Sequence, residues 1–424
     1  MALQRLLLGS AAAAAVGLSA CTHIDDTVDV PIGQMDAWLA DKPAGTHHLY
    51  ASVLTGGPRN RVLNQMRSGL AAFEAGADDV AAASFDDALN RIESIYADNP
   101  TAEKARSNFV PERSKDFKGE AYERAMAFYY RGLIFLAQGD YGNARAVFQG
   151  GQLQDAFAED QRYQSDFAIL DVLAGWASQC EGNDVLAREF YRRAVETRPD
   201  IHIPDPADRV LAIADMGLPP LKYGEGEYDE ILTYAEPDPV PEASAEFVAG
   251  GVAYPAHAGE DIYWQASTRG GRQVDRVLAG KAQFRDVTAG VALASLYLAD
   301  AALDIAAWNS WDDHHDGGDD TDTALAWATG LALVGVGSLI VSESTKPEAD
   351  TRYWDNLPAH IDYTSLPAGL YPTEVIFRDE NGVTLGAEKP RVRIDPEGEC
   401  ALAYIKSRRA SEVPPLPPNS LLSR

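Results

Sequence analysis

"YRGLIFLAQGDYGNARAVFQGG", Tyr130 to Gly151, and "LAGWASQCEGNDVLAREFYRRA", Leu173 to Ala194, align at a constant offset of 43 residues. Gly132 matches Gly175, Gly139 matches Gly182, Ala144 matches Ala187, and Phe148 matches Tyr191. A weaker copy runs earlier through Gly69, Gly76, Ala81, Phe85 and Ala88. Apolar residues recur at helical spacing on both sides of each central glycine. Small residues at these positions let two antiparallel helices approach closely, and the aromatic fills the wedge between them. Unrelated alanine-rich helices would not hold one offset through four matched positions.

The Gly, Ala, aromatic, Ala and Pro series, closed by Pro199, resembles the tetratricopeptide repeat, although the offset exceeds that repeat's usual length of about 34 residues. The resemblance implies that the first helix of each pair lines a concave groove. The residues expected on that face are Met66, Leu70 and Phe73, then Met126, Tyr129, Leu133 and Leu136, then Ile169, Val172 and Trp176. Nearly all are apolar, and a soluble protein rarely leaves so much contiguous apolar surface wet. Either another part of the chain or a segment of a partner fills the groove. Met66, Phe73, Tyr129, Leu133 and Trp176 are the candidate partner-binding residues.

The N-terminus, "MALQRLLLGSAAAAAVGLSAC", has one charge, an apolar run and small residues at its end, the composition of a secretory signal. Its close, Leu18-Ser19-Ala20-Cys21, resembles the lipobox of bacterial lipoproteins, which implies cleavage before Cys21 and a diacylglyceryl group on its thiol. With Thr22 rather than Asp after the cysteine, the resemblance implies the outer membrane, periplasmic face. A net charge of −28 repels phosphate backbones and excludes nucleic acid as a natural partner. Cys180 and Cys400 remain beyond Cys21; in an oxidising compartment they can pair, and the sequence leaves that open.

Composition divides the rest. Residues 1–20 read as signal peptide, 21–58 as a tether, 59–200 as helical repeats, 201–256 as a linker with one strand (Ile231–Ala235), 257–408 as an α+β domain and 409–424 as a Pro-rich tail. Within the domain, Gly270-Gly271 suggests a hairpin between Ile262–Arg269 and Arg272–Leu278, and Asn381-Gly382 suggests another. "CALAYIK", Cys400–Lys406, adds a third strand. The expected fold is therefore mainly α: a tetratricopeptide-like α-solenoid followed by a smaller α+β domain with a helical hairpin and antiparallel strands.

"ADTRYWDNLPAHI" (349–361) and "FKGEAYERAMAFYYRGLIFLAQGDYGNAR" (117–145) resemble a little-characterised family of bacterial envelope lipoproteins, in which such repeats precede a smaller C-terminal domain. Asp350, Thr351, Arg352, Trp354, Leu357 and Pro358 carry the likeness. It brings no catalytic residues with it, and implies envelope proteins as partners, including regulators of peptidoglycan synthesis. Read from chemistry alone, Trp354, Leu357 and Pro358 form a structural plug and Asp350 braces Arg352.

The acidic stretch "WDDHHDGGDDTD" (311–322) lies between two apolar runs, Val287–Trp308 and Thr323–Val341. Asp312, His314, Asp316 and Gly317 imitate the opening of a calcium loop, but Thr323 stands where the closing bidentate glutamate belongs. A solvated connection between two buried helices is the preferred reading over a metal site or a membrane hairpin. No Gly-x-Ser-x-Gly elbow, phosphate loop or His-Glu-x-x-His pair occurs, and His360 reads as structural. No enzyme, cofactor or metal is expected. The sequence thus predicts a lipid-anchored, periplasm-facing scaffold that docks envelope proteins through its repeats. The alternatives are a regulator that binds a peptidoglycan synthase or glycan, or an envelope hydrolase.

Overall fold

The computed structural model describes residues 27–97, 116–155, 166–226, 229, 231–236, 242–268 and 349–407. Two helices open it, α1 (Ile32–Leu39) and α2 (His47–Thr55), where the composition suggested a tether. Trp38 donates its indole N–H to the Tyr50 carbonyl, and Tyr50 is fully buried with its hydroxyl on Ser84. These apolar anchors tie the opening segment down.

Three helix pairs follow: α3 (Arg61–Ala75) with α4 (Asp78–Ala97), α5 (Ala121–Ala137) with α6 (Tyr141–Asp155), and α7 (Ala168–Cys180) with α8 (Asp184–Thr197). The repeat has a direct physical cause. Gly76, Gly139 and Gly182 each take a left-handed φ, of 78°, 74° and 77°, and end the first helix of their pair. At the matched glycine before them, the second helix's aromatic lies against bare backbone. A Cβ on Gly132 would sit 2.2 Å from the Phe148 ring, and one on Gly175 2.4 Å from Tyr191.

Ala at either position should therefore cost about 1–3 kcal/mol through overpacking. Gly142→Ala, in α6 with nothing within 4 Å of the added carbon, should be neutral or stabilising. Urea unfolding of the three variants checks this; equal midpoints for Gly132→Ala and Gly142→Ala would refute the wedge.

The strands overturn the expectation of a mainly α protein. Of the described residues, helix accounts for 45% and strand for 24%, in three sheets. The central sheet has five strands in the order β10 (Arg391–Ile394), β11 (Ala401–Lys406), β1 (Asp208–Met216), β7 (His360–Pro367) and β6 (His257–Asp261). It is mixed: β1 pairs parallel with β11, Val210 opposite Ala401, and antiparallel with β7. A second, antiparallel sheet orders β5 (Val252–Pro255), β4 (Ser244–Ala249), β8 (Glu374–Arg378) and β9 (Thr384–Glu388). β2 (Leu221–Glu225) and β3 (Ile231–Ala235) form a hairpin.

The result is three layers rather than a solenoid with an appendage. Leu211 and Ile213 of β1, Ile361 and Tyr363 of β7, and Leu402 and Tyr404 of β11 face the helices. Their neighbours Val210, Ala212, Ala214, Leu366, Ala403 and Ile405 face Phe247, Val375 and Phe377 of the second sheet. Such centrally placed strands are apolar on both faces and show no alternation, so periodicity alone does not mark β1, in the supposed linker, as a strand.

Ile262–Ser267, taken for part of a hairpin arm, is instead a short helix, α9, whose N-cap Asp261 accepts from the Trp264 amide. The Asn381-Gly382 turn does join β8 to β9, with Gly382 at φ 75°. Cys180, at the end of α7, is bonded to Cys400, just before β11, with Cα atoms 5.9 Å apart. The Gly270-Gly271 turn, both apolar runs, the acidic 311–322 stretch, Cys21 and the Pro-rich tail lie outside the described residues.

Candidate functional site

The groove of the repeats is occupied by the chain's own central sheet. Met66, Phe73, Tyr129 and Leu133 have no exposed surface, and Trp176 is 2% exposed. The five candidate contact residues are thus buried in one core with Leu211 and Ile213 of β1, Ile361 and Tyr363 of β7, and Leu402 and Tyr404 of β11. Phe73 packs on Tyr404 with ring centroids 4.7 Å apart.

At the centre of this interface lies a carboxylate that nothing in the repeat pattern announces. Asp215, in β1, accepts hydrogen bonds from the hydroxyls of Tyr129 (3.1 Å), Tyr130 (2.7 Å) and Tyr404 (2.8 Å). Burial pushes its carboxyl up to about 6, opposed by the three hydroxyl donors and by Lys406. The same burial, with the charge of Asp215 beside them, raises all three phenols well above their ordinary value. An acceptor holding three neutral donors in a buried interface joins helix to sheet in one register.

A strap at 350–358 locks the other side. Arg352 forms a fork with Asp350 (2.8 and 2.7 Å) and donates to Asn60 Oδ1 at 2.9 Å. Lys222, which also meets Glu120 at 2.9 Å, donates to the Arg352 carbonyl at 3.0 Å. Arg67 pairs with Asp355 at 2.7 Å, and Lys406 donates to the Asn356 carbonyl at 2.6 Å. Glu123, wholly buried at the start of α5, accepts from its own Glu120 amide (2.7 Å) and from the Trp354 amide (2.6 Å). Burial raises its carboxyl, while Lys222 pulls it down. The Trp354 ring, also wholly buried, lies 5.8 Å from Tyr130 and 6.1 Å from Phe85.

The stretch that carried the family likeness is therefore a structural plug in this chain. His360 likewise has a structural place, its Nε2 set 2.9 Å from the Glu242 carbonyl. Among the described residues, no three His, Cys, Asp or Glu side chains converge to hold a metal ion. Among them, too, no helix is long and apolar enough to cross a membrane.

Asp215 and Glu123 are the residues that sequence reasoning missed. A lone acid inside "VLAIADM" and the Glu-x-x-Glu spacing of a capping box are the signals that mark them. No protein-family model, curated protein or solved structure matches this chain.

Proposed function

We propose that this protein is a lipid-anchored, periplasm-facing scaffold of the cell envelope, held at the outer membrane through Cys21. Its partners are envelope proteins, and it meets them with surfaces other than the repeat groove. The observation that carries the reading is the Cys180–Cys400 disulfide, which belongs to an oxidising compartment and clamps the repeats onto the sheet. The lipobox-like Leu18–Cys21 supports the anchor.

With the concave face filled, docking falls to the outer helices of the pairs. Their charged faces, such as Arg145 against Glu181 and the Glu189–Arg192–Glu196 row of α8, suit recognition by charge complementarity. Anchoring raises the local concentration of such a scaffold toward other envelope proteins.

Cys21→Ser should move the protein from the membrane fraction to the soluble periplasm. Retention in membranes would overturn the lipid anchor. Crosslinking in cells should capture a defined protein complex that Arg192→Glu weakens. Sedimentation of the purified protein with sacculi, without such a complex, would instead identify a glycan binder.

A further inference from the structure

The far edge of the central sheet carries a concentration of buried acid that the packing of the layers does not require. Glu260 of β6 is 5% exposed, and its Oε1 accepts from the Gln265 amide of α9 at 3.0 Å. Asp166, just before α7, reaches the same Gln265 side chain and adds its charge to that at Glu260. One amide thus gathers two carboxyls from two different elements. The Ile169 amide at the start of α7 also donates to Glu260. Gly259, beside Glu260 at a bulge in β6, leaves no room to relax: a Cβ there would lie 2.7 Å from the Ile361 carbonyl.

We propose that Asp166 and Glu260 form a proton-operated latch for the edge strand β6 and helix α9. It is closed while at least one of the two carboxyls keeps its proton and loosened when both ionise.

The other charged groups around the pair frame the proposal. Arg198, at the end of α8, donates to the Ala258 carbonyl at 2.6 Å and offsets part of the negative charge. Asp362 of β7 is buried one strand away, near His360. His257 of β6 stacks on His202 at 3.8 Å, with Asp208 beside His202, and Asp261 caps α9. Burial first, then mutual charge, raises Glu260 to about 7, and burial raises Asp166 and Asp362 to about 6.

Raised carboxyls contribute stability that is complete below their ordinary values and is lost as pH rises through about 6 to about 7. The two imidazoles, whose values are lowered by burial, act in the opposite sense as they lose their protons. The experiment must therefore separate the two.

Hydrogen exchange of residues 257–268 in the full chain, compared between about pH 5.5 and about pH 8 and corrected for intrinsic rates, reads the latch. Protection should be roughly tenfold lower at the higher pH. Glu260→Gln, neutral throughout, should abolish the difference, and Asp166→Asn provides the same test if that variant does not fold. His202→Gln should leave it intact. Equal protection at both values, persistence of the drop in Glu260→Gln or Asp166→Asn, or its disappearance in His202→Gln would each overturn the proposal.

Discussion

Trp354→Ala should lower the unfolding free energy by about 3–5 kcal/mol. The indole fills the point where the strap, the first two helix pairs and the Asp215 cluster meet, against Phe85 and Tyr130. Removing it opens a cavity lined by rigid aromatics that cannot collapse into it. It also uncovers Tyr130, whose hydroxyl helps to hold Asp215. The polar part of the indole contributes little to this loss, since its N–H has no hydrogen-bond partner among the described residues. Trp354→Phe should therefore recover most of the stability, losing only volume. Urea unfolding with matched slopes decides the matter. A loss below about 1 kcal/mol for Ala would mean that the strap is peripheral to the core.

The second large effect concerns the covalent clamp. Replacing Cys180 and Cys400 together by Ala should cost about 2–5 kcal/mol. The pair closes a loop of 220 residues, so the gain in chain entropy on opening it lies near the top of that range. Both cysteines are nearly buried, at 7% and 5% exposure, and alanine leaves no stranded polar atom. The layers are still pinned by Asp215 and by the strap, so the variant should fold, with its weakest amides in α7 and α8. Unfolding of the native protein with and without a thiol reductant should reproduce the difference between wild type and variant. Alkylation of Cys180 in unreduced native protein would contradict it.

The two effects divide along the same line as the reading of the sequence. The helix pairs were legible because their determinants are local: Gly132 and Phe148 meet across one turn, sixteen positions apart in the chain. The β8–β9 hairpin was legible for the same reason, its Asn-Gly turn being a short-range signal. The arms of the central sheet meet over much longer separations, with Val210 opposite Ala401 and His257 opposite Tyr363. Nothing near Val210 in the chain states that pairing. Tyr129 and Trp176, read as groove residues, are buried, and the sequence left open what covers them.

By itself, the order of residues determined that three glycine-wedged helix pairs form, that their inner faces are too apolar to stay wet, and that the chain is strongly acidic. Only the tertiary structure decided that a strand hidden in an apparent linker enters the groove, that Asp215 gathers three phenols there, and that Cys180 meets Cys400. The physical reason is that helical periodicity is written over three or four neighbouring residues. Burial of a strand on both faces erases its alternation, and its partners are chosen by packing between segments far apart in the chain.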